Sequence, residues 1–269
     1  MPLDIRSPVG AVQTQDAVAG AERPARFYAP SAAVPGERVL LPADESEHLA
    51  RVLRLTTGDR VRVFNGRGSE FHAVVDSVAR SGVGVILGEP CRSAPEPCVA
   101  VTLAQAVLKG DKMDEVVRDA VMIGAMALLP LITARTGTSM AALARSRRRE
   151  RWGRIAVSSA KQCGRAVVPV IAEPMVFDGD ALRAHDPAAA VFALVEPHAQ
   201  AGQPLGSLDA AAIGPRATLV VGPEGGWSEE EIAALSTIGT LVTLGGRTLR
   251  ADAMALVALA ALFAKCGEY

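Results

Sequence analysis

Aromatic residues are scarce in this 269-residue chain, at 4% of the total, so a core must be packed mainly by alanine, valine and leucine rather than by rings. Cysteine and histidine number four each. Cys91, Cys98, Cys163 and Cys266 lack CxxC spacing, and so few histidines leave little to complete a metal site. The expectation is reduced thiols in a cytoplasmic protein and no metal. Charge of one sign is also missing: the formal net charge is −1, so any attraction for a polyanion must come from local clustering. Long apolar runs are absent as well. Ala253–Ala264 falls short of the roughly 20 residues that cross a bilayer and reads as a buried helix. Asp4 and Asp16 interrupt the first residues, so 1–25 reads as a frayed tail, neither signal peptide nor anchor, and no membrane partner is expected.

What is present is concentrated in residues 218–232, TLVVGPEGGWSEEEI. Thr218–Val221 is a short apolar run of the kind that forms a buried strand. It stops at Gly222-Pro223-Glu224-Gly225-Gly226, and a helix then starts clearly. Ser228 can cap it, Glu231 can close a capping box, and Trp227 with Ile232 can form a hydrophobic staple. A second cluster, Leu244-Gly-Gly-Arg-Thr-Leu-Arg250, follows the next strand and precedes the final helix. Two strand–glycine–helix units at one sheet edge imply a shared ligand crevice, although either alone also serves as an ordinary turn. Neither is a P-loop, since no Gly-Lys-Ser/Thr follows.

The rest of the chain divides in texture. From Arg26 to about Gly88, strand candidates Arg38–Leu41, Arg60–Asn65, Glu70–Val78 and Val83–Leu87 surround a short helix at Asp44–Leu53, with Asn65-Gly66 as a hairpin signal. This reads as a small β-barrel over 26–90. The glycines at 82, 84 and 88 lie within a strand pattern and mark bulges rather than a dinucleotide loop. Glu89–Pro97, EPCRSAPEP, is a proline-rich break, which places a linker at 91–98. Beyond it, over 99–269, strands (Val99–Val107, Ala127–Ile132, Ala190–Val195, Thr218–Val221, Leu241–Leu244) alternate with helices (Lys112–Met126, Ala141–Cys163, Glu229–Leu235, Ala251–Lys265). That alternation predicts an α/β domain on a mostly parallel sheet.

Taken in order, these motifs resemble a known family. GPEGG with its capped acidic helix, then LGxRxLR running into a C-terminal helix, looks like the knotted SPOUT methyltransferases. The chain is more closely similar to the bacterial 16S rRNA uridine-N3 methyltransferases (RsmE). Arg26-Phe27-Tyr28, Glu47-His48, Val52-Leu53-Arg54, Gly58-Asp59 and Phe64-Asn65-Gly66 resemble that family's PUA-like barrel. Lys109–Met113 and Gln162-Cys163-Gly164-Arg165 with Pro169 resemble its catalytic domain. The resemblance implies a trefoil knot in residues ~190–269, a homodimer, 16S rRNA of the small ribosomal subunit as substrate, and S-adenosylmethionine (SAM) as cofactor. By the same match the cofactor contacts Glu196, Gly222, Pro223, Glu224, Gly225, Gly226, Leu244, Gly245, Leu249 and Arg250. The chain departs from the family pattern at Met122-Ile123-Gly124, at Ser158 and over Ala251–Met254.

A run of arginines (145, 147, 148, 149, 151 and 154) on one predicted helix forms the other constellation. In isolation it is as readily a solvated face as a phosphate-gripping stripe. The residues expected to meet RNA are Arg26, Arg54, Lys109, Lys112, Arg135, Arg148 and Arg151. Methylating N3 requires loss of the imide proton, through a base that accepts it or through cations near the carbonyl oxygens that acidify N3. Arg250 and Arg165 are the candidates for the cationic role, with Gln162 orienting the uridine edge; for Arg165, phosphate binding is an equal alternative. Three other readings stay open: a diverged paralogue with a different RNA target, a non-catalytic RNA-binding or ribosome-assembly factor on a methyltransferase scaffold, and a small-molecule α/β enzyme.

Overall fold

The computed structural model describes residues 24–197 and 202–269; most of the expected N-terminal tail lies outside them. The first layer is a five-stranded, mostly antiparallel sheet. Its strands are β1 (Arg26–Tyr28), β2 (Arg38–Leu40), β3 (Arg60–Phe64), β4 (Glu70–Ala79) and β5 (Gly82–Pro90), in the order β1-β3-β4-β5-β2. Alternation along the strands turns Val61, Val63, Phe71, Ala73, Val75, Val83, Val85 and Leu87 inward onto Phe27 and Leu49, which gives this sheet a core of its own. The β4–β5 register shifts between Val75 and Ser77, so Ser77 faces Gly84, as the glycine spacing in that strand predicts. The single expected helix here is two pieces, α1 (Ala43–Glu47) followed by a π-helical turn, His48–Val52.

The second layer is an eight-stranded parallel sheet with helices on it. Its elements are β6 (Ala100–Ala106), α2 (Lys112–Ile123), β7 (Ala127–Ile132), α3 (Met140–Arg145), α4 (Arg148–Cys163), β8 (Val170–Ile171), β9 (Met175–Val176), α5 (Gly179–His185), β10 (Ala190–Leu194), β11 (Gln203–Pro204), α6 (Ala210–Ile213), β12 (Arg216–Val221), α7 (Glu229–Ile238), β13 (Thr240–Thr243) and α8 (Ala251–Lys265). The strand path is β11-β13-β10-β12-β6-β7-β8, with β9 also paired to β7. β12 therefore sits between β10 and β6, while β13 lies on the far side of β10. The loops that leave β10, β12 and β13 all emerge at the same sheet edge. α2 buries Met113, Val116, Val117, Ala120 and Val121, the i, i+3, i+4 pattern of an amphipathic helix, against the same core as α8 and Trp152 of α4.

The expected helix Ala141–Cys163 is broken. Ser146 is extended, its hydroxyl donates to the Leu143 carbonyl (2.7 Å), and its Oγ also accepts from Arg148 N (3.4 Å). A serine that bonds the local backbone competes with the helix ladder, and here it ends α3 and starts α4. The short strands β8, β9 and β11 and the helices α5 and α6 escape the pattern reading because two to seven residues carry too little periodicity.

Two arginines expected at RNA or in the chemistry are engaged within the protein, Arg26 as a tie between the layers and Arg165 as a tie between the linker and α2. Arg26 donates to both carboxylate oxygens of Glu70 (3.0 and 2.8 Å), to the Ala160 carbonyl of α4 (3.1 Å) and to the Arg165 carbonyl (3.1 Å), and it lies over the Phe64 ring. Lys161 of α4 pairs with Glu45 of α1 at 2.7 Å and sits over Phe27, a second tie across the same boundary. Arg165 is 3% exposed; it grips the Glu96 carboxylate of the linker and donates to the Val121 and Ala125 carbonyls at the end of α2 (2.7 and 2.9 Å). Its charge is thus spent on a carboxylate and on helix-terminal carbonyls, which is where a buried guanidinium is stable. Arg26 and Arg165 are thus both held by partners within the protein, whereas both were expected to face RNA or substrate.

Glu70 is the critical acceptor, since its side chain is fully buried and also meets Arg62 at 3.1 Å. Glu70→Ala leaves these cations uncompensated, and urea unfolding is expected to show a loss of about 3–5 kcal/mol. A loss below ~1 kcal/mol would show that the layers do not depend on this tie.

Candidate active-site crevice

At the carboxyl edge of the parallel sheet, β10, β12 and α8 frame a crevice of about 650 Å³. Leu194, Val195 and Glu196 form one wall, Val221–Glu224 with Gly226 and Trp227 a second, and Thr248–Ala251 with Met254 a third; Lys112 and Arg135 reach the mouth. Of the cofactor residues implied by the sequence resemblance, Glu196, Gly222, Pro223, Glu224, Gly226, Leu249 and Arg250 meet here. Gly225, Leu244 and Gly245 do not line it. Leu244 packs on the main core, and Gly245 stands in a solvent-facing turn at φ +71°. Among the three proposed catalytic residues only Arg250 borders the crevice. Gln162 is exposed on the last turn of α4, outside the crevice lining, and Arg165 is committed as described.

The Gly222–Gly226 loop is built by close approach. A Cβ on Gly222 would stand 3.0 Å from the Trp227 ring, which seals the crevice floor and donates its Nε1 to the Leu194 carbonyl (2.9 Å). Gly226 adopts φ +69°, a conformation that residues with a Cβ resist, and its Cβ position faces Glu196 Oε1 at 3.5 Å. Lys112 and Arg135 were expected at RNA, whereas Thr248 and Met254 were not assigned to the site from the sequence. Met254 lies one helical turn beyond Arg250, so the helix expected from Ala251 already carried the spacing that puts it on the same face.

The end of β6 and the loops after β6 and β7 are fastened to this glycine turn. Gln105, fully buried at the end of β6, donates Nε2 to the Gly222 carbonyl (3.3 Å). Glu224 accepts from the Lys109 backbone N–H (3.1 Å) and pairs with Lys112 (3.5 Å). Arg135, in the loop after β7, donates to the Gly225 carbonyl (3.0 Å). The expected capping box is present: Ser228 Oγ accepts from Glu231 N, and Glu231 Oε2 accepts from Ser228 N (2.9 Å). Glu231 does more than cap. Its Oε1 accepts from Ala134 N at 2.7 Å, which joins the loop after β7 to the start of α7.

The basic residues sort into committed and available charges. Arg151 pairs with Asp111 and Asp114, Arg149 with Glu173, and Lys112 with Glu224. Arg148 is half-buried; it donates to the Leu108 carbonyl (2.9 Å) and lies over Trp152. Among the described residues Lys109, Arg135, Arg145, Arg147 and Arg154 have no carboxylate partner and are exposed. Arg54 is also exposed. It is the sole non-glycine residue at positive φ (+54°) among the described residues, and it follows exposed Val52 and Leu53 at the tip of the π-helical turn. Those described residues hold no group of three His, Cys, Asp or Glu side chains suited to a metal, and no helix long and apolar enough to cross a membrane.

Ser228→Ala should cost about 1 kcal/mol in denaturant unfolding. Glu231→Ala should cost more, because it also orphans the Ala134 N–H; equal losses would show that the bond across the loops adds nothing. Glu224 adds a pH dependence. Burial pushes its carboxyl up, but its own backbone N–H, that of Lys109 and the Lys112 charge outweigh burial and hold it below the usual carboxylate range. A depressed folded pKa contributes stability above the unfolded value, near ~4.3, and that stability is lost as pH falls through the folded value. Unfolding titrations between pH 7 and 3 should show this loss in the wild type and a smaller one in Glu224→Gln.

The chain matches the RNA methyltransferase domain family over residues 94–263 and the RNA methyltransferase PUA domain family over residues 41–86. It is 34% identical over 225 residues to ribosomal RNA small subunit methyltransferase E of Synechocystis, covering 82% of this chain and 71% of that protein. A Legionella pneumophila protein, described as a methyltransferase in complex with the cofactor SAM, superposes with a TM-score of 0.81 at 29% identity, covering 90% of this chain and 98% of that one. The ribosomal RNA small subunit methyltransferase E of Neisseria gonorrhoeae, bound to SAM, gives 0.78 at 28% identity, covering 90% and 97%. With both layers matched in order and a relative at this identity over most of its length, the chain belongs to the ribosomal RNA small subunit methyltransferase E (RsmE) family.

Proposed function

We propose that this protein transfers a methyl group from SAM to N3 of a uridine in 16S rRNA of the small ribosomal subunit. The observation that carries the reading is the meeting of Glu196, the Gly222–Gly226 loop and Leu249–Arg250 around one crevice in a chain of this family. The residues fit a cofactor of that kind. The volume, about 650 Å³, suits a nucleoside-sized ligand. Bare glycine backbone offers amides and carbonyls to a purine edge, Leu249 and Met254 supply an apolar wall, and the Glu196 carboxylate can accept from hydroxyl or ammonium donors. When bound, SAM supplies an electrophilic methyl group on a sulfonium.

The protein's own share is positioning and charge. Neutral uridine N3 carries no lone pair free to attack, so its proton must leave. Arg250 is suited to favour this. Its side chain is 74% exposed at the crevice rim, with its nearest carboxylate, Asp252, at 3.7 Å. A guanidinium there stabilises charge developing on a uridine carbonyl oxygen and so acidifies N3. The unpaired cations Lys109, Arg135 and Arg147 suit the phosphates on either side of the base. The reading includes a homodimer and the trefoil knot. Support for the first is the partly exposed apolar face of α8 formed by Ala253, Leu256, Val257 and Ala260. Support for the second is the placement of β12 and β13 on opposite sides of β10.

Incubation with SAM and small subunits from a strain lacking this activity should add one methyl group to one uridine base of 16S rRNA, located by mass mapping. Incorporation on a ribose, or none, would overturn the reading. In single-turnover assays Arg250→Ala should slow methylation by roughly 100- to 1000-fold with SAM binding retained; a near-normal rate at saturating subunits would remove Arg250 from the chemical step.

A further inference from the structure

A second cavity, of about 500 Å³, lies at the outer margin of the parallel sheet, between α3, the first half of α4 and the segment 168–174 that carries β8. Leu143, Ala144, Val168 and Ile171 give it apolar walls, and Arg149, which donates to the Ile171 carbonyl and pairs with Glu173, fastens one side. Its lining includes Gly153, inside α4. A glycine in a helix interior is unfavourable relative to almost any other residue. Here it leaves space, because a Cβ at this position would have no atom within 4 Å. The cavity is bordered by the turn between α3 and α4, where Arg145 and Arg147 are exposed and, among the described residues, have no carboxylate partner. Nothing in the proposed methyl-transfer chemistry uses it.

A slot with apolar walls, whose charged lining is Arg149, its partner Glu173 and Glu150, beside guanidinium groups without a carboxylate partner has the chemistry of a single-stranded nucleic-acid subsite. The slot takes the face of an unstacked base, and the arginines take the flanking phosphates. We infer that this cavity holds a nucleobase of the RNA substrate outside the methylated position, with Gly153 keeping the space open and Arg147 gripping the adjoining backbone. The inference rests on the RNA-methylation reading above for the identity of its ligand.

Gly153→Leu tests it, since the added side chain fills the slot while favouring the helix, and a melting temperature at or above wild type confirms that the variant folds. The probes are a uridine 12-mer and the abasic strand of the same length, which keeps the phosphates and lacks the bases. The wild type is expected to bind the base-bearing strand about tenfold more tightly. Gly153→Leu should erase that difference with SAM affinity unchanged. Arg147→Ala should weaken both strands alike and lower the salt dependence by about one phosphate contact. Equal wild-type affinity for the two strands, or a Gly153→Leu variant that still discriminates, would overturn the subsite. So would a wild-type dimer that Gly153→Leu converts to a monomer, because the cavity would then belong to an interface between copies. Failure of the wild type to methylate small subunits would sink the functional reading and leave the base-dependent affinity standing, so the two outcomes separate.

Discussion

The carboxylate of Glu231 is the constraint on which the crevice depends. One oxygen accepts from Ser228 N and fixes where α7 begins; the other accepts from Ala134 N and draws in the loop after β7. Between them runs a glycine turn with little side-chain substance, which holds its shape only through what grips it from outside. Gln105 holds Gly222, the Lys109 segment is tied to Glu224, and Arg135 holds Gly225. Loops from three adjacent strands thus become one rigid edge, and a site that must present bare backbone to a ligand gains its definition from neighbours.

The same economy governs charge. A chain with almost no net charge carries 28 Lys and Arg residues, and burial decides which of them a partner can meet. Arg26 and Arg165 are internal ties, Arg149 and Arg151 are paired with carboxylates, Arg135 is held by the Gly225 carbonyl, and Lys109, Arg145 and Arg147 are exposed with no carboxylate partner among the described residues. In an RsmE-family protein this sorting matters more than the arginine count. Only an uncommitted cation can release its water and counterions to a phosphate without losing an existing partner.

The parts of the molecule that were legible in sequence share a local cause. The strand Thr218–Val221, the capped start of α7 and the helix that begins at Lys112 each follow from residues within one or two turns of each other, and each was found where expected. The break at Ser146 is equally local but was masked by a strong run of helix-forming residues around it. The internal partners of Arg26 and Arg165 were not legible, because an arginine in a motif looks the same whether it faces solvent or a carboxylate far along the chain. The acceptor of Arg26 is Glu70, 44 positions away, and that of Arg165 is Glu96, 69 positions away. Leu244 and Gly245 were placed in the crevice by motif order, whereas the turn after β13 carries them past it.

The sequence alone determined which segments could form a ligand crevice, because glycine, capping residues and apolar periodicity act on the chain's nearest neighbours. It also determined family membership, through the order of those motifs. Tertiary structure decided which side chains have charge left to give and which walls close the crevice. The physical reason is that desolvation and ion pairing depend on groups brought together by strand order, with β12 set between β10 and β6, and no local pattern in the chain encodes that adjacency.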